Sequence, residues 1–177
     1  MRTELPVGQR LRELRRARGL TIPQLAAATG LTSGFISQLE RDLSSASLSS
    51  LARICDALGV RFGDVMDRVP GGAHDVVTIG GQEHLLLTPA DERRFHVTES
   101  HLAPGASSGD ELHTVPADAE LVYVVEGTLE VRVGKRKRVL RGGESFTYPP
   151  REPHGWRNPS DSAEAVVLWL AVPNPYS

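Results

Sequence analysis

Residues 21–41, TIPQLAAATGLTSGFISQLER, decide the fold of the first third of the chain. Thr21 is placed to cap a helix with Pro23 in its first turn. That helix runs through Leu25 and Ala26 to Gly30, a residue suited to the left-handed backbone of a helix end. Thr32 or Ser33 opens a second helix whose apolar side is Phe35, Ile36 and Leu39 and which ends near Arg41. Counted from Ile22 as the first position, small Ala26 falls fifth, Gly30 ninth, Ile36 fifteenth and Leu39 eighteenth. Ala26 lets the two helices approach closely, and Gly30 makes the turn between them. Ile36 and Leu39 anchor the second helix while its outer face stays free.

Working outward, Val7, Leu11 and Leu14 recur at helical spacing up to Arg18, with Gly19 as the stop. On the other side a serine-rich stretch leads into a helix from Leu48 to Leu58 ended by Gly59, and a short amphipathic segment carries Phe62, Val65 and Met66. VGQRLRELRRARGLTIPQLAAATGLTSGFISQLERD followed by SLSSLARICDALGV resembles the lambda-repressor-like, or xenobiotic-response-element (XRE), family of helix-turn-helix domains. The resemblance covers residues 6–67. It implies a five-helix DNA-binding domain whose third helix enters the major groove of double-stranded DNA. Carried over, Thr32, Ser33, Gly34, Ser37 and Gln38 are the candidates for base and nearby phosphate contacts, with Arg41 as phosphate clamp. Thr21 and Gln24 would lie near phosphate, and Glu40 would pair with a helix 1 arginine, Arg10.

Charge divides the chain the same way. Residues 1–68 hold ten Arg against seven Asp and Glu, whereas residues 69–177 hold ten Lys and Arg against fifteen acids. The basic part is the one to match with nucleic acid. The single cysteine, Cys55, excludes an internal disulfide framework and a cysteine-rich zinc module, and its apolar helical neighbours Leu51, Ile54 and Leu58 mark it as a core residue. No apolar run approaches a membrane span, and the start MRTELPVGQR lacks the apolar core of a signal peptide, so the expected location is the cytoplasm, with no membrane partner.

Beyond Val69-Pro70-Gly71-Gly72 the texture changes to short β-rich runs: 76–79, 84–87, 95–102, 121–125, 129–133, 137–140, 145–148 and 165–172. Many short strands without a helical period argue for a β-barrel or sandwich. The run 135–138, KRKR, falls in an expected hairpin and reads as a solvated turn or strand edge rather than a second DNA contact. Two segments then resemble the cupin motifs. In the first, Pro104-Gly105 leads through His113 to Glu120 and Gly127; in the second, Gly143 is followed by Pro149, His154 and Asn158.

Cupin metal sites use histidines and a glutamate, donors that suit divalent iron, manganese, nickel or zinc. Glu120 and His154 fall at ligand positions, but Thr114 and Pro116 stand where the histidine pair is expected. His113 comes three residues early, and would need the segment 115–118 to bulge before it pointed inward; Glu111 could join it. Two readings stay open: a partial metal site of His113, Glu120 and His154, or a metal-free barrel with His154 hydrogen-bonded in its wall. By strand alternation Trp156 shares a face with His154, and Phe146 with Tyr148, each face lining either a ligand pocket or the core.

The expected molecule is an α+β chain of two domains. Residues 1–68 form an all-α, five-helix, lambda-repressor-like helix-turn-helix domain, 69–72 a linker, and 73–177 an all-β cupin (jelly-roll) barrel for sensing and dimerisation. Its expected function is a homodimeric, sequence-specific transcriptional regulator that responds to a small-molecule effector and has no catalytic residue. The rival is a cupin metalloenzyme, since the order of domains resembles that of an iron-dependent epoxidase acting on hydroxypropylphosphonate.

Overall fold

The chain is seen in a computed structural model, which describes residues 2–4, 7–60, 62–65, 74–79, 81–89 and 92–176. Helices α1 (Val7–Ala17), α2 (Ile22–Thr29), α3 (Ser33–Leu39) and α4 (Leu48–Leu58) are followed by a single turn, α5 (Phe62–Val65). The fifth expected helix is thus reduced to four residues among those described. The expected linker, 69–72, lies outside them.

Local chemistry explains the helix boundaries. Thr21 and Gln24 form a reciprocal capping box at the start of α2, with Pro23 in its first turn, and Gly30 ends it at φ +65°. The Thr32 side chain accepts the Phe35 N–H to open α3, and Ser47 accepts the Ser50 N–H to open α4. Leu11, Leu25, Ile36, Leu51, Ile54 and Leu58 then close the helical core with almost no exposure, and Cys55 is buried among them. Burial pushes the Cys55 thiol up to about 12, so it stays protonated and inert.

The strands are β1 (Arg2–Glu4), β2 (His74–Ile79), β3 (Gln82–Leu86), β4 (His96–Leu102), β5 (Ala119–Glu126), β6 (Thr128–Val133), β7 (Arg136–Arg141), β8 (Ser145–Tyr148), β9 (His154–Arg157) and β10 (Ala165–Val172). One sheet runs β1-β2-β3-β4-β10-β5-β8 and the other β7-β6-β9. Leu102, Val122, Val124, Val131, Val133 and Val167 fill the space between them. β1 pairs in parallel with β2, so residues 2–4, expected in the helical unit, add a strand to the sheet instead. Without them β2 would be an unpaired sheet edge.

The two parts also share apolar packing. Val77 and Ile79 of β2 and Leu86 of β3 belong to the same buried cluster as the helical core. The hairpin that begins the barrel is therefore a floor for the helices as well. No helix among the described residues is long and apolar enough to cross a membrane.

Candidate nucleic-acid interface and barrel cavity

Because Ile36 and Leu39 point into the core, the opposite side of α3 faces out. Thr32, Ser33, Gly34, Gln38 and Arg41 are exposed and Ser37 half-buried. A Cβ added to Gly34 would meet nothing within 4 Å, so the start of the helix is open to close approach by another molecule. Arg41 folds back so that its Nε donates to the Ser37 carbonyl at 3.0 Å. Thr21 and Gln24 are exposed at the start of α2, but their side-chain oxygens close its capping box.

Behind this face sits a buried ion pair. Glu40 Oε1 lies 2.5 Å from Arg15 Nε and Glu40 Oε2 lies 2.8 Å from Arg15 Nη2, while Arg15 Nη1 donates to the Leu20 carbonyl at 2.6 Å. The expected partner, Arg10, instead donates to the Asp64 carbonyl and to Glu13. The reason is helical phase: Arg15 follows Leu11 by four residues and so shares its buried face. The Glu40 carboxylate holds the Arg15 proton more tightly than usual.

In the barrel, alternation along β5 turns Glu120 inward with Val122 and Val124, and β9 turns His154 and Trp156 the same way. His113 joins them because its backbone N–H and carbonyl each bond His154 at 2.9 Å. The Ala117 N–H folds onto the Val115 carbonyl at 2.8 Å, and this tight turn takes up the extra residues before Glu120. The result is a cavity of about 80 Å³ lined by His113, Glu120, Tyr148, His154, Trp156, Trp169 and Tyr176, among others. Phe146, expected with Tyr148, does not line it. Its ring stacks near Tyr148 at 5.5 Å but is covered by the Arg138 guanidinium, 4.9 Å away. The neighbouring cations of the KRKR run are paired as well, Arg136 with Glu152 and Lys137 with Glu130, as a solvated hairpin would have it.

Hydrogen-bond accounting fixes much of the cavity's chemistry. His154 Nδ1 lies 3.0 Å from the Glu152 carbonyl, which can only accept, so Nδ1 carries the proton and Nε2 is bare. Nε2 is 3.4 Å from Glu120 Oε2, and that oxygen accepts the Tyr148 hydroxyl at 2.6 Å. Burial raises Glu120 to about 7 against the opposing pull of Tyr148. Burial also pushes His113 down to about 3, aided by His154, and lowers His154. Ser100 Oγ accepts the Trp169 indole N–H at 3.0 Å and also lies 2.7 Å from His84 Nδ1, which ties that ring to the cavity wall. Burial pushes His84 down to about 4, against a smaller upward pull from the Ile79 backbone. His113 Nδ1 and His84 Nε2 are buried without a satisfied hydrogen bond.

Residues 10–71 match the family model described as the Cro/C1-type HTH DNA-binding domain, and residues 98–171 match the Cupin domain. The chain is a Cro/C1-type helix-turn-helix regulator with a cupin domain. It is 27% identical over 151 residues to the HTH-type transcriptional regulator SutR of Escherichia coli K12, with 84% of each chain covered. It is 24% identical over 167 residues to the HTH-type transcriptional regulator PuuR of the same organism, covering 88% of this chain and 89% of PuuR. An HTH_3 family transcriptional regulator from Vibrio cholerae shares the fold, with a TM-score of 0.62, 21% identity and 95% of each chain covered.

The cupin fold brings the question of a metal to this regulator. His113, Glu120 and His154 reach one cavity, but among the described residues no three His, Cys, Asp or Glu side chains converge as a ligand set. Glu120 is engaged by Tyr148. Glu111, expected to join His113, is exposed and meets Arg53 of α4 at 3.4 Å. The residues present do not build a resident metal site. Sequence reasoning gave His84 only a surface or structural role, for want of a matching spacing, and passed over Tyr176 and Arg53. His84 and Tyr176 stand far from the cupin motifs, and Arg53 reads as one more solvated charge on a helix.

Proposed function

We propose that this regulator reads double-stranded DNA with α3 in the major groove and captures a small organic effector in the barrel cavity. Thr32, Ser33, Gly34, Ser37 and Gln38 would face bases and nearby phosphates. Arg41 would hold a phosphate, with Thr21 and Gln24 beside the backbone at the start of α2. The helical domain would span residues 1–68, five helices in all, with residues 2–4 lending a strand to the sheet, and the jelly-roll barrel 73–177. Two copies, joined through their barrels, would set two α3 helices one DNA turn apart on a pseudo-palindromic site.

The observation that carries the effector reading is the unspent polar edge of the cavity. Two buried histidine nitrogens lack a bond where the wall is otherwise closed by Trp156, Trp169 and Tyr148. Leaving such groups unpaired is costly, and a ligand with its own donor and acceptor would repair them. The cavity is smaller than the roughly 150 Å³ that holds benzene, so the effector is a compact molecule, or one that displaces Tyr176. An iron-dependent enzyme would need His113, Glu120 and His154 on one ion, whereas among the described residues no three such side chains converge, which favours the effector reading.

Footprinting of the DNA upstream of the chain's own coding region, beside elemental analysis of the untagged protein, tests this. The expected result is two protected half-sites about 10 base pairs apart with no stoichiometric metal. Stoichiometric iron without protection would make the enzyme the better reading.

A further inference from the structure

Arg53 lies on α4, away from the outer face of α3. Its Nε and Nη2 both reach the Thr29 carbonyl, with Nε at 2.9 Å, and its Nη1 approaches Glu111 Oε2 at 3.4 Å. Thr29 is the last residue of α2, so its carbonyl is among those left without an intrahelical partner at the negative end of the helix. Gly30 follows directly and sets the angle between α2 and α3. A guanidinium fork on that carbonyl therefore holds the hinge of the helix-turn-helix.

The other end of the contact leads into the barrel. Glu111 precedes His113 by two residues, and His113 is bonded through its backbone in both directions to His154, whose ring lines the cavity. The same segment is laced along β9, with the Ser108 N–H on the Trp156 carbonyl at 3.0 Å and the Trp156 N–H on Ser108 Oγ at 3.1 Å. A shift of His113 or Trp156 around a ligand must therefore move Glu111. A cleft of about 720 Å³ between α4 and this segment leaves room for that movement. An ion pair whose carboxylate side chain is 68% exposed is also readily exchanged.

We propose that Arg53 is a positioning residue that ties the hinge between α2 and α3 to segment 108–113, whose last residue, His113, lines the cavity, making the seat of α3 and the state of the cavity depend on each other. This rests on the DNA-binding reading of α3. Coupling of this kind is reciprocal, so binding DNA must be felt in the barrel even with no effector present.

The test uses the full chain and the tightest duplex recovered from a random pool, with affinity read by anisotropy and amide hydrogen exchange by mass spectrometry. In the wild type, duplex binding should slow exchange across 108–116 at least about threefold. Glu111→Gln should bind the same duplex within about threefold and lose that slowing. Arg53→Lys, a point charge that cannot fork onto both partners, should lose the slowing as well. Slowing that persists in either variant, or its absence in wild type with the duplex bound, overturns the proposal. If the pool yields no duplex that binds the wild type, the DNA-binding reading fails, and this proposal fails with it.

Discussion

A Cβ on Gly8 would fall 1.9 Å from the Leu39 carbonyl oxygen, and the Gly8 N–H donates to Asp42 Oδ1 at 2.7 Å. The first turn of α1 is thus pressed onto the end of α3, and Gly8→Ala should destabilise the chain by about 1–3 kcal/mol in urea unfolding. Glu40→Ala strands the buried Arg15 charge and should cost about 3–5 kcal/mol, whereas Glu13→Ala, at an exposed pair, should stay within about 1 kcal/mol. The cavity makes stability depend on pH with two signs. Glu120, raised to about 7, contributes stability that is present below its ordinary value and is lost as pH rises through 7. His113 and His84, depressed to about 3 and 4, contribute stability that is present above the ordinary histidine value and is lost as pH falls. The two histidines outweigh the one carboxyl, so Tm should rise with pH from about 4 and level off near pH 7, and Glu120→Gln should make that rise steeper. At this scale the sequence shows that Glu40 needs an arginine from α1, but it offers Arg10, Arg12, Arg15 and Arg16. Only the three-dimensional phase of the helix, set by Leu11, selects Arg15.

Among the elements, α2 and α3 were legible almost to the residue, because their boundaries are written in local chemistry: Thr21 with Gln24, Gly30, and Thr32. Thr32→Ala removes a cap and should cost about 0.5–2 kcal/mol, read as a lowered Tm. Gln38→Ala should leave Tm unchanged, since that side chain is exposed. The strands were less legible. β9 has four residues between Pro153 and Asn158 and includes Gly155, too short and interrupted to show a period of two. β1 has three residues whose partner, β2, lies some seventy positions away, and nothing local announces such a pairing. The inward turn of His113 was legible only as a condition, the bulge before Glu120. The turn from Val115 to Ala117 meets it through a backbone bond that no spacing rule specifies.

For the whole molecule, the order of two domains follows from composition and motif, whereas their joint packing does not. Val77, Ile79 and Leu86 line the barrel cavity and also belong to the helical core, a double duty that depends on how two folded surfaces meet. A molecule packed this way should unfold in one transition, seen as coincident loss of helix circular dichroism and of Trp156 and Trp169 fluorescence. Two separate transitions would show that the shared hairpin does not couple the parts. Arg41→Ala should weaken all duplexes alike and lower the salt slope by about one unit, the mark of a phosphate contact. The most direct measurement of the central claim is anisotropy titration of the upstream duplex with the wild type and the Gln38→Ala, Arg41→Ala double variant, each checked by thermal unfolding. Tight, salt-dependent binding that the double variant loses while keeping its Tm is the result expected for an α3 that reads DNA. Equal binding by both proteins, or loss of binding only together with loss of the fold, would contradict it.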